Sequence, residues 1–286
     1  MPRVTRDGVS IYYEREEAVG DSVVFIQGLG YGRWMWRWQR EALRDEYDVI
    51  APDTRGTGRS QSGEPSLVRR LPSGLRTRLA RGPLSYSIEE LTADLEAVLS
   101  DAGIYNAHVV GASVGGMVAL EYALEYGRTK TLTLVGTTHG GPDAMSIPKE
   151  TREQVLDARK GRSEREGIRH AMGPVFTEPF TNRNPHLMDR IIEWRREWDA
   201  ESVARVAQAG AGLDYDAADR LDRVRCPTLV VHGSEDRFVP VANGRLLAEK
   251  IPGARLVEID GGSHLCTVEN AETVTDELRS FVEIHS

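Results

Sequence analysis

His108-Val109-Val110-Gly111-Ala112-Ser113-Val114-Gly115-Gly116 passes from a short apolar run into a helical pattern, Val114 to Tyr126, through a single serine. The turn fits G-x-S-x-G. Alone that pattern is weak, since a glycine-rich turn can simply let a helix pack closely. With a strand running in and a helix running out it reads as a nucleophile elbow, which lifts a serine hydroxyl above the carboxyl edge of a sheet. So tight a turn needs small residues two before and two after the serine. Gly111, Gly115 and Gly116 meet that need. The N–H groups of the departing helix point at the hydroxyl.

The neighbouring segments extend the same pattern. Val9 to Glu16 follows an Asp-Gly turn and reads as an exposed strand. Val23-Val24-Phe25-Ile26 is a continuous apolar run, as expected of a strand buried on both faces. Trp34 to Arg44 is helix-like, and Tyr47 to Ala51 is a strand stopped by Pro52. Ser87-Ile88-Glu89-Glu90 has the form of a capping box and opens a helix through about Ser100. Thr131 to Val135, Pro227 to Val231 and Arg255 to Ile259 read as further strands. Helices are expected from about Val241 to Lys250 and from about Val268 to Ile284. Strands alternating with helices imply an α/β fold with a mostly parallel sheet. From about Gly140 to Asp214 no strand is legible. The expected organisation is a core domain over 1–139 and 215–286, with a helical cap inserted over 140–214.

Composition narrows the function. The chain has 286 residues, 40% of them apolar and 28% charged, which excludes a disordered or low-complexity class. A net charge of -8 argues against nucleic acid as a partner. Two cysteines, Cys226 and Cys266, give neither a disulfide scaffold nor a paired metal spacing. No signal-peptide core and no membrane-spanning run is present. The expectation is a cytoplasmic enzyme or receptor for a small molecule, without metal or cofactor. Oligomeric state is open.

A serine hydroxyl is a poor nucleophile without a base. Among seven histidines, His264 stands out, because Gly261-Gly262-Ser263 precede it directly after a strand. His108 opens a strand and reads as packing; His232 closes one. The base needs an acid to fix its tautomer. Asp236 follows the carboxyl end of another strand, and Glu235 points away if Asp236 points in. The chain order is Ser113, Asp236, His264. Loop Asp and His residues are ordinarily solvated; three in this order, each at a strand end, make that reading poor.

On these residues the chain resembles the α/β-hydrolase fold superfamily, in its esterase, epoxide-hydrolase and carbon–carbon-bond-hydrolase group. Two further motifs carry the resemblance. Asp53-Thr54-Arg55-Gly56-Thr57-Gly58-Arg59-Ser60 matches D-x-R-G-x-G-x-S, structural in that family, and Gly233 to Pro240 matches the acid-loop pattern G-x-x-D-x-x-V-P. The resemblance implies a Ser113–Asp236–His264 triad. It also implies an oxyanion hole of the Leu29 and Val114 backbone N–H groups. The family usually has His-Gly where this chain has Gln27-Gly28. Backbone donors survive that change, and an amide can replace an imidazole as a bridge without titrating. Relatives that open epoxides or remove halide use an aspartate nucleophile, so Ser113 points to acyl transfer.

The reaction expected is hydrolysis of a carboxylic ester, thioester or lactone through an acyl-enzyme. One rival is carbon–carbon cleavage of vinylogous diketones, lowered because Gly30-Tyr31-Gly32 lacks the usual Pro. A perhydrolase side activity is a further option. Another rival is a non-enzymatic receptor on the same fold. Trp194 and Trp198, four apart, share a helix face and are expected to pack within the cap, with a pocket lining as the alternative. Cys226 reads as an inert core thiol and Cys266 as buried structure. Arg152 to Arg169 reads as a solvated helix. Gln61 to Tyr86 is an insertion beyond the family pattern. Its five arginines against Glu64 alone give it a formal charge of +4, leaving -12 on the rest of a chain totalling -8. It reads either as a surface loop docked on an acidic body or as a mobile lid.

Overall fold

Val23, Val24 and Phe25 are fully buried because their strand has a neighbour on each side and helices over both faces. The computed structural model describes residues 2–158 and 160–286. Its eight strands are β1 (Arg3–Arg6), β2 (Val9–Glu16), β3 (Ser22–Ile26), β4 (Asp48–Pro52), β5 (Ala107–Ala112), β6 (Thr129–Val135), β7 (Thr228–Gly233) and β8 (Arg255–Ile259). They form one sheet in the order β1-β2-β4-β3-β5-β6-β7-β8. β1 with β2 and β2 with β4 pair antiparallel, and every later pairing is parallel. This is the mostly parallel α/β architecture expected. The strand order reverses beside β3 and β5, which is where ligands bind in such sheets.

Several elements depart from the expectation. β2 is not exposed: it lies between β1 and β4, and Val9, Ile11, Tyr12 and Tyr13 are buried. The helix after the β3 loop begins as a 3-10 turn, Arg33–Trp36, and becomes α-helical over Arg37–Leu43. The last helix is two pieces, Cys266–Glu269 and Ala271–Ile284, meeting at Asn270. Arg152 to Arg169 spans two helices, Lys149–Leu156 and Glu164–Met172, instead of one. Ser87 does cap its helix, accepting the Glu90 N–H, but the Glu90 carboxylate pairs with Arg55 and does not return to the cap.

Between β6 and β7 lie the two helices just named and three more, Glu178–Arg183, Pro185–Trp198 and Ser202–Asp214. An isolated bridge pairs Gly140 with Asp216, and the Ala217 N–H donates to the His139 carbonyl at 2.9 Å. The two ends of this helical stretch are thus pinned at one neck. Trp194 and Trp198 do not pack inside it. Trp194 meets Trp34 and Trp38 of the body, with centroids 6.0 and 6.3 Å apart. Trp198 faces the Arg33 and Arg59 guanidinium groups at 5.8 and 5.2 Å. Indole faces attract cations, so this pair docks the helical stretch on the sheet's flank.

Candidate active site

At the carboxyl end of β5, Ser113 has φ +53° and ψ -124°, a left-handed conformation that an L-residue holds only where the surroundings impose it. The surroundings are main chain. A Cβ on Gly111 would lie 2.1 Å from the Gly115 carbonyl oxygen, and one on Gly115 would lie 2.3 Å from that of Ile26. Both positions must be glycine for β3, β5 and the helix Val114–Glu125 to approach this closely. The Ser113 N–H donates to the Val135 carbonyl at 2.9 Å. Its own carbonyl accepts from Gly116 and Met117 N–H and from the Thr137 hydroxyl.

The loops after β7 and β8 bring the other two residues together. Gly233 is packed against the Gly262 and Ser263 carbonyls so tightly that a Cβ would overlap both. His264 Nδ1 lies 2.8 Å from Asp236 Oδ2, and both side chains are buried. The other carboxylate oxygen, Oδ1, accepts the Phe238 and Val239 N–H groups at 2.8 and 2.7 Å. Phe238 stacks on the His264 ring at 4.9 Å. Glu235 is exposed, as its neighbour's inward direction requires. Burial pushes the Asp236 carboxyl up, but the adjoining His264 charge, helped by His232 and by hydrogen bonding, holds it well below the usual carboxylate range. Gly136, which follows Val135, touches both partners: a Cβ there would lie 3.5 Å from Asp236 Oδ2 and 3.6 Å from His264 Nδ1. The elbow and the His–Asp pair therefore share one patch of the sheet's carboxyl edge.

The β3 loop lies against the serine, with the Gly28 Cβ position 3.2 Å from the Ser113 Cβ. Gln27 is buried, and its Nε2 donates to the Pro52 carbonyl at 3.0 Å, so the amide bridges β3 to the end of β4. The Asp53 to Ser60 turn holds that edge in place. Asp53 Oδ2 accepts the Arg59 N–H at 2.7 Å, and Arg55 makes a two-pronged bond to Asp94 at 2.9 and 2.8 Å.

Three contributors were not legible in the sequence. His232, read as closing a strand, donates from Nε2 to the Val239 carbonyl at 2.9 Å and sits 3.4 Å from Asp236 Oδ2. Its i, i+4 spacing to Asp236 was the available signal. Gln208 and Asp199 reach the β3 loop from the helical stretch, and nothing in their local pattern marks them. Cys266 is buried beneath the site, its thiol pushed up to about 12 by burial and then by the Asp236 charge, so it is inert. Cys226 is only half-buried, and burial raises its thiol to about 11. Among the described residues no cluster of three or more His, Cys, Asp or Glu side chains is arranged to hold a metal, and no helix is long and apolar enough to cross a membrane.

A serine at a strained strand–helix elbow, beside a buried His–Asp pair on a doubly covered sheet, defines a hydrolase of the α/β class. The sequence model of the alpha/beta hydrolase family matches residues 23–277, and the chain belongs to that family. A relative in Azorhizobium caulinodans called "Putative carbamate hydrolase RutD" is 30% identical over 289 residues, covering 98% of each chain. Among solved structures, the enol-lactonase of Burkholderia xenovorans LB400 superposes with a TM-score of 0.81 at 25% identity, over 99% of this chain and 100% of that one. A thermophilic esterase from Thermogutta terrifontis superposes with a TM-score of 0.76 at 26% identity, over 99% and 98%. The chain is thus a hydrolytic enzyme, and the receptor reading falls.

Proposed function

We propose that the chain hydrolyses small carboxylic esters or lactones through an acyl-enzyme on Ser113. His264 takes the Ser113 proton as Oγ bonds to the carbonyl carbon, and the Leu29 and Val114 N–H groups hold the resulting oxyanion. His264 then gives that proton to the departing alkoxide as the carbon–oxygen bond breaks. Water, deprotonated by His264, attacks the acyl-enzyme; the acid leaves and Ser113 recovers its proton. Asp236 holds His264 in the tautomer with its proton on Nδ1. The helices between β6 and β7 act as a cap over this edge. One observation carries the reading: Ser113 is forced to φ +53° at the sheet edge that also holds the His264–Asp236 pair, with glycine required two positions before and two after it. The esterase and enol-lactonase likenesses support an oxygen ester. The A. caulinodans relative adds carbamates to the panel worth assaying.

Ser113→Ala is expected to lower kcat by about 10⁴- to 10⁶-fold on whichever ester, lactone or carbamate the wild type turns over. A fluorophosphonate probe should label the wild type at Ser113. Labelling at another residue, or near-normal turnover by the alanine variant, overturns the assignment.

A further inference from the structure

Gly28-Leu29-Gly30 is a poor platform for a catalytic donor, because glycines on both sides leave the Leu29 N–H free to swing. Gly30 itself sits at φ +71°. Yet the loop is tied: Gln27 and the Gly28 N–H hold its start to the body, through the Pro52 carbonyl and Met35 Sδ, and Gly30 and Gly32 hold its far side to the helical stretch. The Gly30 N–H donates to Gln208 Oε1 at 2.7 Å, and its carbonyl accepts the Ala200 N–H at 2.9 Å. The Gly32 N–H and Trp34 Nε1 both donate to Asp199 Oδ1, at 3.0 and 2.9 Å. Gln208 is 1% exposed and its hydrogen-bonding groups are committed. Its Nε2 donates to the Arg55 carbonyl at 2.8 Å and to Thr57 Oγ1 at 3.0 Å. It therefore fastens the β3 loop to the turn after β4. Asp199 is anchored in turn by Arg195 Nε at 2.8 Å.

Resting on the proposed reading of the site, we infer that Gln208 and Asp199 are positioning residues that fix the Leu29 N–H in the oxyanion hole, so the hole is complete only while the helical stretch is docked. Donors of this kind work only when placed before the charge develops, and displacement by about 1 Å costs on the order of 100-fold. The stretch thus sets reactivity as well as covering the site, and any opening of it loosens the donor.

The test uses Gln208→Met, which keeps the volume and removes every polar contact, with p-nitrophenyl acetate as substrate and active sites counted by the endpoint of fluorophosphonate labelling. Per active site, kcat should fall about 10- to 100-fold while KM stays within about threefold. Affinity for a trifluoromethyl ketone, whose adduct with Ser113 places an oxyanion in the hole, should fall by the same factor. A merely structural residue would lower Tm and the count of active sites but move neither per-site quantity. Thr57→Val, which removes one anchor of Gln208 at constant shape, should show the same split at about threefold, and serves if Gln208→Met does not fold. Wild-type kcat and ketone affinity in both variants overturn this inference alone. A wild type that neither labels at Ser113 nor turns over the ester overturns the proposed reading, and this inference with it.

Discussion

Asp236 is the residue on which the site's electrostatics converge. Two backbone N–H groups, His264 and His232 surround a carboxylate with almost no solvent. Asp236→Asn keeps the shape but offers His264 an amide, which favours the wrong tautomer. The expected loss in kcat/KM is up to about 10⁴-fold with the fold retained, read by ester kinetics and circular dichroism. A nearly harmless change would place the orienting acid elsewhere. The same carboxylate predicts a pH effect on stability. Its folded-state value lies below the unfolded one, so the ionised form stabilises the fold fully above about pH 4, the unfolded value, and that contribution is lost as pH falls below it. The gap in unfolding free energy between wild type and Asp236→Asn should therefore shrink on acidification below about pH 4. Urea titrations at several pH values measure it, and a gap that widens contradicts the sign. The pairing of Asp236 with His264, and the elbow at Ser113, were legible because each residue follows a strand within a few positions and glycines mark the turns. His232 was not, because its role depends on how the chain folds back from Val239.

At the scale of elements, the β3 loop carries Gln27 where the sequence resemblance led to the expectation of a histidine. Gln27 contributes an Nε2–H bond to the Pro52 carbonyl and touches no reacting atom in the proposed mechanism. Gln27→His keeps a donor at that position and should hold kcat/KM within about tenfold, whereas Gln27→Leu, which strands the buried Pro52 carbonyl, should cost stability as well. A loss near 10³-fold in Gln27→His, the scale of deleting a whole oxyanion donor, would mean that the amide acts on the substrate directly. Strands buried on both faces, β3, β5 and β7, were legible as apolar runs. β2 was misread because its Tyr, Glu and Arg residues look solvent-facing, while Tyr12 is in fact covered by the Arg3, Arg33 and Arg59 side chains. Gln208 lies 178 positions from Gly30, and no local pattern reports a contact of that range.

For the whole molecule, the open question is charge: a +4 segment over 61–86 on a body of -12. Two short helices, Ser66–Arg69 and Ser73–Ala80, stand where prolines and glycines masked any helical period. The segment is docked at both ends, with the Gln61 N–H donating to the Ser10 carbonyl at 2.9 Å and the Tyr86 N–H to the Ala207 carbonyl at 3.2 Å, while the Tyr86 hydroxyl closes the segment on its own Ser62 carbonyl at 2.6 Å. Arg76 spends its charge inside the segment, in a two-pronged bond to Glu64 at 2.8 and 2.7 Å. A cavity of about 740 Å³ lies between the segment and the helix Ser202–Asp214, but Ser113, Asp236 and His264 do not line it. Its wall sets Arg55, Arg69, Arg76 and Arg196 against Glu64, Glu90, Glu197, Asp199 and Glu201, so it offers an acidic ligand no net positive charge. These contacts favour a docked surface segment over an electrostatic lid. A carboxylate-bearing ester and its neutral analogue should then respond alike as salt rises to about 0.5 M, where exposed charges are screened beyond a few ångströms. Changing Arg69, Arg70, Arg78 and Arg81 to glutamine should leave the ratio of their kcat/KM values within about twofold, since steering by a distant patch would act on the charged ester alone. If salt and the four substitutions each lower that ratio by about tenfold, the segment steers acidic substrates to the site and the lid reading is restored.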